Sequence, residues 1–378
     1  MTKQKNPFTP SFGTTPPLLA GRSDVIDEFI NGLEAGPGDP ARATLYVGQR
    51  GSGKTVLLNA LQDAARGRGW AVLSESATPG LVDRLVNEGL PQALNNVKSA
   101  GRTSRKRLTG LTAPGGFGAQ WETVEDYPVR AGLRVLTNEL TDCLGEDDGV
   151  LFTVDEVHRG QIDEIVQLSA VVQHAFREGR NVAFAGACLQ SGLDALLSEP
   201  SSTFLRRAER HRLADVPLGD VVTALTKPVV DAKRTISADT AKLAAEATGG
   251  YPFLIQLIGF HMWRVNPSAK EITVEDVEAA VPAARRRLGT LVIEPSLQDV
   301  SDVDKTFLAA MAVDDGPSKI ADVAKRMDVD GGYANVYRTR LLTQDIIVEA
   351  GRGKVAFATP GLGEYLREHV AVDELKKP

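Results

Sequence analysis

The sequence predicts an α/β protein: a parallel sheet flanked by helices, an all-helical lid after it, and a small C-terminal module of helices and a hairpin. Three observations carry that reading. Short apolar runs alternate with amphipathic helical segments over residues 23–216, the pattern of a parallel sheet covered on both faces. One of those runs leads straight into GQRGSGKT at 48–55, a glycine-rich turn that opens a helix. Beyond Pro217 runs of strand length stop, and only helical periodicity remains up to residue 287.

Residues 1–20 are rich in Pro, Thr and Ser and read as an extended or partly mobile segment. SDVIDEFINGLEAG follows as a short helix, with Ser23 as its cap and Val25, Ile26, Phe29, Ile30 and Leu33 on one face. ATLYV (43–47) is a buried strand, and VLLNALQDAARGRG is the helix behind the glycine turn, ended by glycine. WAVLSES (70–76) is a second strand, and LVDRLVNEGLPQALNNV is helical with a break near Pro91. Residues 98–120 interrupt the pattern, with Arg102, Arg105, Lys106 and Arg107 before a glycine run; a surface loop is one reading and a DNA contact the other.

VRAGLRVLTNELTDCL is helical, VLFTVDE (150–156) and NVAFAGA (181–187) are strands around a helix at 162–178, and HRLADV (211–216) is a fifth strand. Four helices are expected at 218–232, 237–247, 251–265 and 273–287. The C-terminal part reads as helices SDVDKTFLAAMAV, SKIADVAKRM and GGYANVYRTRLLTQ, a hairpin IIVEAGRGKVAFAT turning at GRGK, and a last helix GLGEYLREHV. The expected division is an N-terminal segment at 1–20, an α/β domain at 21–216, a lid at 217–290 and the C-terminal module at 301–372.

A chain of 378 residues with 42% hydrophobic and 24% charged residues suits a soluble protein of two or three compact units. Its formal net charge of −6 excludes a polybasic nucleic-acid binder, so any such contact rests on a local patch. Cys143 and Cys188 form neither a metal-ligand spacing nor a disulfide framework. The N-terminus has no apolar run after its lysines, and YPFLIQLIGFHMW is too short to span a bilayer, so no membrane role and a cytoplasmic location are expected.

The chemistry concentrates in two motifs. Gly48, Gly51 and Gly53 keep side chains out of a loop whose amides, with those of Gln49, Arg50, Ser52 and Val56, surround phosphates. Lys54 is placed to reach the β- and γ-phosphates of a nucleoside triphosphate, and the Thr55 hydroxyl to ligate Mg²⁺. A hundred residues on, VLFTVDE ends in Asp155, suited to holding the magnesium through water, and Glu156, suited to polarising an attacking water. A solvated acid pair at a strand end is the plainer alternative. His158 and Arg159 read as surface-facing. In STFLRRAERHRL, Arg206, Arg207, Arg210 and Arg212 crowd before the fifth strand, as a solvated helix end or as a source of one arginine for a neighbouring subunit's γ-phosphate.

In this order the features resemble the AAA+ ATPases, most closely the clade of origin-recognition and initiator-type ATPases and the related archaeal ATPase/STAND group, over residues 16 to 370. The resemblance makes GQRGSGKT and VLFTVDE the Walker A and B motifs, and implies ATP or ADP with Mg²⁺ as ligands. It implies that Gly21 and Arg22, in LLAGRSDVIDEF, wall the adenine pocket, and that FLRRAER carries an arginine finger acting within a homo-oligomer in the ATP state. TGGYPFLIQLIGFHMW resembles the clade's lid-helix start, which implies that Gly249, Gly250, Tyr251 and Pro252 face the base. Two departures stand out. Gly186 and Ala187 fall where many members place a polar sensor of the γ-phosphate, and the lid helix lacks a second-sensor arginine. A slow switch fits that pattern better than a processive motor.

The C-terminal module resembles a winged helix-turn-helix. Its third helix then presents Tyr333, Asn335, Arg338 and Arg340 to the major groove of duplex DNA, while Arg352 and Lys354 on the wing reach backbone phosphates. Residues 301–378 carry 11 Lys and Arg against 13 Asp and Glu, so the module is not basic overall, and docking of a protein partner is the rival use. A small-molecule kinase fits poorly, since no acceptor-site motif follows the nucleotide residues.

Overall fold

The computed structural model describes residues 5–99, 131–157, 162–298 and 300–369, apart from 12, 14 and 17. The arginines and lysine of the basic insertion, the pair His158–Arg159 and the last residues of the expected C-terminal module lie outside the described residues. The chain runs through α1 (Ser23–Ala35), β1 (Ala43–Val47), α2 (Lys54–Arg66), β2 (Ala71–Ser76), α3 (Leu81–Arg84) and α4 (Leu90–Ser99). Then come α5 (Ala131–Cys143), β3 (Val150–Val157), α6 (Ile162–Arg177), β4 (Val182–Cys188), α7 (Gln190–Ser198) and β5 (Glu209–Arg212). The five strands form one parallel sheet in the order β2-β3-β4-β1-β5.

Alternation along the central strands explains the two faces. Leu45, Phe152 and Phe184 point into a core covered by α3 to α7, whereas Tyr46, Leu151, Ala183 and Ala185 point into one covered by α1 and α2. Both faces are buried, so β1 and β4 are buried throughout rather than alternating. The expected break near Pro91 is a π-turn at Leu85–Gly89 between α3 and α4, next to the position where proline removes a donor.

Two local expectations are corrected. Ser23 is not the cap of α1: Arg22 holds that position, and its guanidinium donates to the Ala214 carbonyl at 2.6 Å, so the helix begins one residue early. The fifth strand is shorter and earlier than HRLADV, because pairing to β1 stops at Arg212, opposite Val47.

The lid holds α8 (Leu218–Asp231), α9 (Ala238–Thr248), α10 (Pro252–Val265) and α11 (Val274–Leu288), close to the expected spans. It is not strand-free. A two-residue parallel pair joins β6 (Thr235–Ile236) to β7 (Glu271–Ile272), where Arg234, stacked over Trp263 at 4.6 Å, ties down the carbonyls of Trp263, Asn266 and Glu271. Helix α11 runs on through a π-turn into α12 (Glu294–Leu297).

The C-terminal unit comprises α13 (Asp302–Met311), β8 (Ser318–Lys319), α14 (Ile320–Arg326), α15 (Gly331–Thr343), β9 (Ile347–Glu349), β10 (Lys354–Phe357) and α16 (Leu362–His369). The hairpin gains a third antiparallel strand, β8, which the sequence reading assigned to a helix. Lid and C-terminal unit are not separate globules: Trp263, Leu288, Phe307, Leu341 and Leu366 belong to one continuous apolar core.

Candidate functional site

The loop between β1 and α2 bends back at Gly51 and Gly53, both at positive φ (73° and 88°), a conformation that glycine adopts without strain. Lys54 is folded onto it, its ammonium donating to the carbonyls of Gly48 at 2.9 Å and Gln49 at 2.8 Å. Burial is the largest influence on this lysine and lowers its pKa, against the opposing pull of Asp155. Ser52 Oγ is buried without a partner inside the loop, an orphan that an incoming phosphate oxygen would satisfy.

The tip of β3 faces this loop. Thr55 Oγ1 donates to Asp155 Oδ2 at 2.5 Å across a separation of 100 residues, so hydroxyl and carboxylate meet where a hard divalent cation takes oxygen ligands. Those two residues fit Mg²⁺. The ladder between β3 and β4 slips between Val154 and Val157, and Glu156 sits in that irregularity at φ 57°. A left-handed conformation costs a non-glycine residue about 1–2 kcal/mol, and here it turns the Glu156 side chain toward the cavity instead of along the ladder.

That cavity, of about 490 Å³, is lined by Arg50 to Val56 of the loop, by Asp155 and Glu156, and by Arg22, Pro252 and Gln256. Gly21, Gly48, Gln49 and Tyr251 stand behind the lining rather than in it. Tyr251 is buried and donates to the Arg50 carbonyl at 2.6 Å; a Cβ on Gly51 would fall 2.0 Å from its hydroxyl. The lid thus grips the phosphate loop from the back. Gly249 and Gly250, at φ 58° and 80°, make that grip possible, since a Cβ on Gly250 would lie 2.5 Å from the Val216 carbonyl. Burial depresses the Arg22 pKa, with Asp215 opposing it.

The sequence reading missed what closes the far side. Asn6 donates to the Phe260 carbonyl at 3.0 Å, the Thr9 amide donates to Gln256 at 3.2 Å, and Phe8 is buried against Gly259, where a Cβ would come within 2.4 Å of the ring. Thr9, Pro10, Leu18 and Leu19 then line the cavity opposite the loop. The segment is a strap, not a loose tail. Its one sequence signal was a pair of aromatics, Phe8 and Phe12, in a polar and proline-rich stretch.

The sensor positions also need correction. Gly186 and Ala187 pair with Leu45 and Tyr46 inside the sheet, and a Cβ on Gly186 would meet Leu45 at 2.8 Å. Strand β4 runs on to Cys188, whose carbonyl accepts from the Gly48 amide at 3.2 Å, so the polar residues nearest the loop are Gln190 and Ser191. Gln190 donates to Asp194 at 2.7 Å. Ser191 donates through its hydroxyl and, at 3.3 Å, through its amide to Asp345 of the C-terminal unit.

The arginine cluster sits at the β5 edge of the sheet. Arg206 caps the end of α7 by donating to the carbonyls of Leu197 and Glu199, each at 3.0 Å, and Arg210 donates to the Arg206 carbonyl. Arg207 is exposed and makes no side-chain hydrogen bond or ion pair among the described residues. In the C-terminal unit Arg338 pairs with Glu349 at 2.6 Å, and Arg340 pairs with the fully buried Asp304. Asn335 and Tyr333 are exposed, Tyr333 beside the equally outward Val336. Arg352 and Lys354 are exposed on the hairpin with no ion pair among the described residues.

Three comparisons bear on this geometry. A family model described as a domain of unknown function (DUF8462) matches residues 291–366. No curated protein matches the chain. Among solved structures, a Walker-type ATPase of Pyrococcus abyssi is similar over 92% of this chain and 96% of its own, at 16% identity and a TM-score of 0.64. Cdc6p of Pyrobaculum aerophilum is similar over 94% of each chain at 17% identity, with a TM-score of 0.47. The RuvB Holliday junction branch migration motor of Thermotoga maritima matches over 92% of this chain and 95% of its own at 16% identity, with a TM-score of 0.45. The last two superpose too loosely to carry an argument. No helix among the described residues is long and apolar enough to cross a membrane. With its five-stranded parallel sheet, its loop at the tip of β1 and its likeness to the first of these structures, the chain has the fold of the AAA+ P-loop ATPases.

Proposed function

We infer that this protein binds ATP with Mg²⁺ in the cavity at the tip of β1, hydrolyses it slowly, and uses the cycle as a switch whose output is the C-terminal unit. The observation that carries the reading is the convergence of Lys54, Thr55, Asp155 and Glu156, from two distant segments, on one cavity. Lys54 would exchange its loop carbonyls for phosphate oxygens, Thr55 and Asp155 would hold the metal, which would neutralise phosphate charge, and Glu156 would orient the attacking water. Slow turnover is supported by the polar residues at the end of β4, Gln190 and Ser191, which are engaged elsewhere, and by the absence of a lid arginine among the residues lining the cavity.

For the output we propose duplex DNA, contacted by the C-terminal unit as a winged helix. Arg352 and Lys354 support it, as cations without an ion pair among the described residues at the hairpin turn of an otherwise acidic unit. A protein partner is the second reading, favoured by Tyr333 and Val336, which expose apolar surface on α15 (42% and 57% exposed), and by the ion pairs that occupy Arg338 and Arg340. ATP turnover by the full-length chain, measured with and without duplex DNA over a range of protein concentration, tests both levels. Turnover that rises with DNA supports the DNA reading; turnover indifferent to DNA, with no DNA bound at low salt, moves the output to a protein. No turnover and no nucleotide binding would refute the ATPase reading itself.

A further inference from the structure

The turn after α15 is a helix C-terminus of the Schellman type: the Asp345 amide donates to the Leu342 carbonyl and the Ile346 amide to the Leu341 carbonyl, both at 3.1 Å. The residue at its left-handed position is Asp345, at φ 54°, where glycine is the unstrained choice. What an aspartate supplies there is its carboxylate. That group is half-buried, away from the hairpin and from the exposed face of α15, and it accepts from both the amide and the hydroxyl of Ser191 in the ATPase domain.

Ser191 follows closely on the cavity lining without belonging to it. Leu189, two residues before it, lines the cavity beside Lys54 and Glu156. Gly192, after it, packs so closely on the carbonyl of Val157, the residue following Glu156, that a Cβ would approach to 2.2 Å. The charged groups facing Asp345 are Lys54 and Asp194, and Asp345 in turn bears on Lys54. The carboxylate therefore shares the loop lysine's field with the end of the cavity where the terminal phosphoryl group belongs.

We propose that Asp345 discriminates triphosphate from diphosphate: its carboxylate and the γ-phosphoryl group compete for Ser191 and for the field of Lys54, so that triphosphate binding undocks the C-terminal unit. This rests on the reading of the cavity as a nucleoside triphosphate site. A diphosphate leaves the corner free and the carboxylate in place, whereas a triphosphate sets a second anion against it. Linkage makes the effect reciprocal: what the γ-phosphoryl group does to docking, docking does to triphosphate affinity, and such couplings typically span about 5- to 150-fold.

The test uses the full-length chain and equilibrium binding of ADP and a non-hydrolysable ATP analogue, each with Mg²⁺. Asp345→Asn keeps the shape and removes the charge, and Asp345→Gly also relieves the backbone, so neither variant depends on a strained fold. Both are expected to tighten the triphosphate analogue by about fivefold or more, with the ADP affinity changed by less than about twofold. Separately, Ser191→Cys with Asp345→Cys, in a Cys143→Ser, Cys188→Ala background, is expected to form a disulfide readily without nucleotide or with ADP and slowly with the analogue. Equal shifts for both nucleotides, or crosslinking indifferent to the analogue, overturns the proposal while leaving the ATPase reading intact. A wild type that binds neither nucleotide overturns both.

Discussion

Glu156 is held at φ 57° with its amide donating to Asp155 Oδ1 at 2.8 Å, so the end of β3 turns on the Asp155 carboxylate. The two acids differ in position, Asp155 against Thr55 and Glu156 on the cavity wall. Replacing Glu156 by Gln is expected to leave ATP binding near wild type and slow hydrolysis by about 10²–10⁴, the usual share of a positioned base; wild-type turnover in that variant would remove Glu156 from the base role. Lys54→Ala is expected to abolish nucleotide binding in a direct titration, since the loop loses the ammonium folded onto it. The meeting of Lys54, Thr55, Asp155 and Glu156 at one cavity was legible because the motifs they sit in constrain residue type and spacing together. Ser191 and Asp345 were not: 154 residues separate them, and neither type stands out locally. Gly186 and Ala187 misled because the register of β4, which buries them, is set by its pairing with β1 and not by its own sequence.

Among the elements, the short turn Leu205–Arg207 before β5 is where we propose that a neighbouring subunit's site is completed. Of its cations only Arg207 projects without a partner among the described residues, while Arg206 is bound to the end of α7. We expect Arg207→Ala to lower turnover by about 10³–10⁵, the range for an arginine finger, with stability nearly unchanged, and specific activity of the wild type to climb with protein concentration. Mixing an excess of Arg207→Ala with Glu156→Gln should recover activity, because one class of mixed interface joins an intact finger to an intact base. A dead mixture, with activity flat across concentration, makes the cluster a solvated helix end. Helix spans were well read from periodicity, as in α8 to α11. Strand ends were not, because β5, β6 and β8 are fixed by a few ladder bonds to distant partners rather than by apolar runs of their own.

Across the whole molecule, the C-terminal unit presents a mixed surface, and its cations separate by what holds them. Arg352→Ala and Lys354→Ala in the full-length chain should each reduce the slope of log DNA affinity against log salt by about 0.9 per lost phosphate contact, with little change in sequence preference. An unchanged slope in both assigns the hairpin no DNA contact. Arg340→Ala would lose stability instead, since it strips the buried Asp304 of its partner. The change from strand-and-helix alternation to helices alone and then to a hairpin was visible in the sequence. The closeness of the last two parts was not, since nothing in either segment names the surface it packs on.

That closeness has a thermal consequence. A core that passes without a gap from Phe8 through Trp263 and Leu288 to Phe307 and Leu366 has no internal boundary at which melting could pause. Scanning calorimetry of the intact chain should therefore show two endotherms, one for the α/β domain and one for everything that follows it, and not three. Phe8→Ala, from the opposite end of the chain, should move only the second, by the equivalent of about 3–5 kcal/mol for a buried Phe→Ala change.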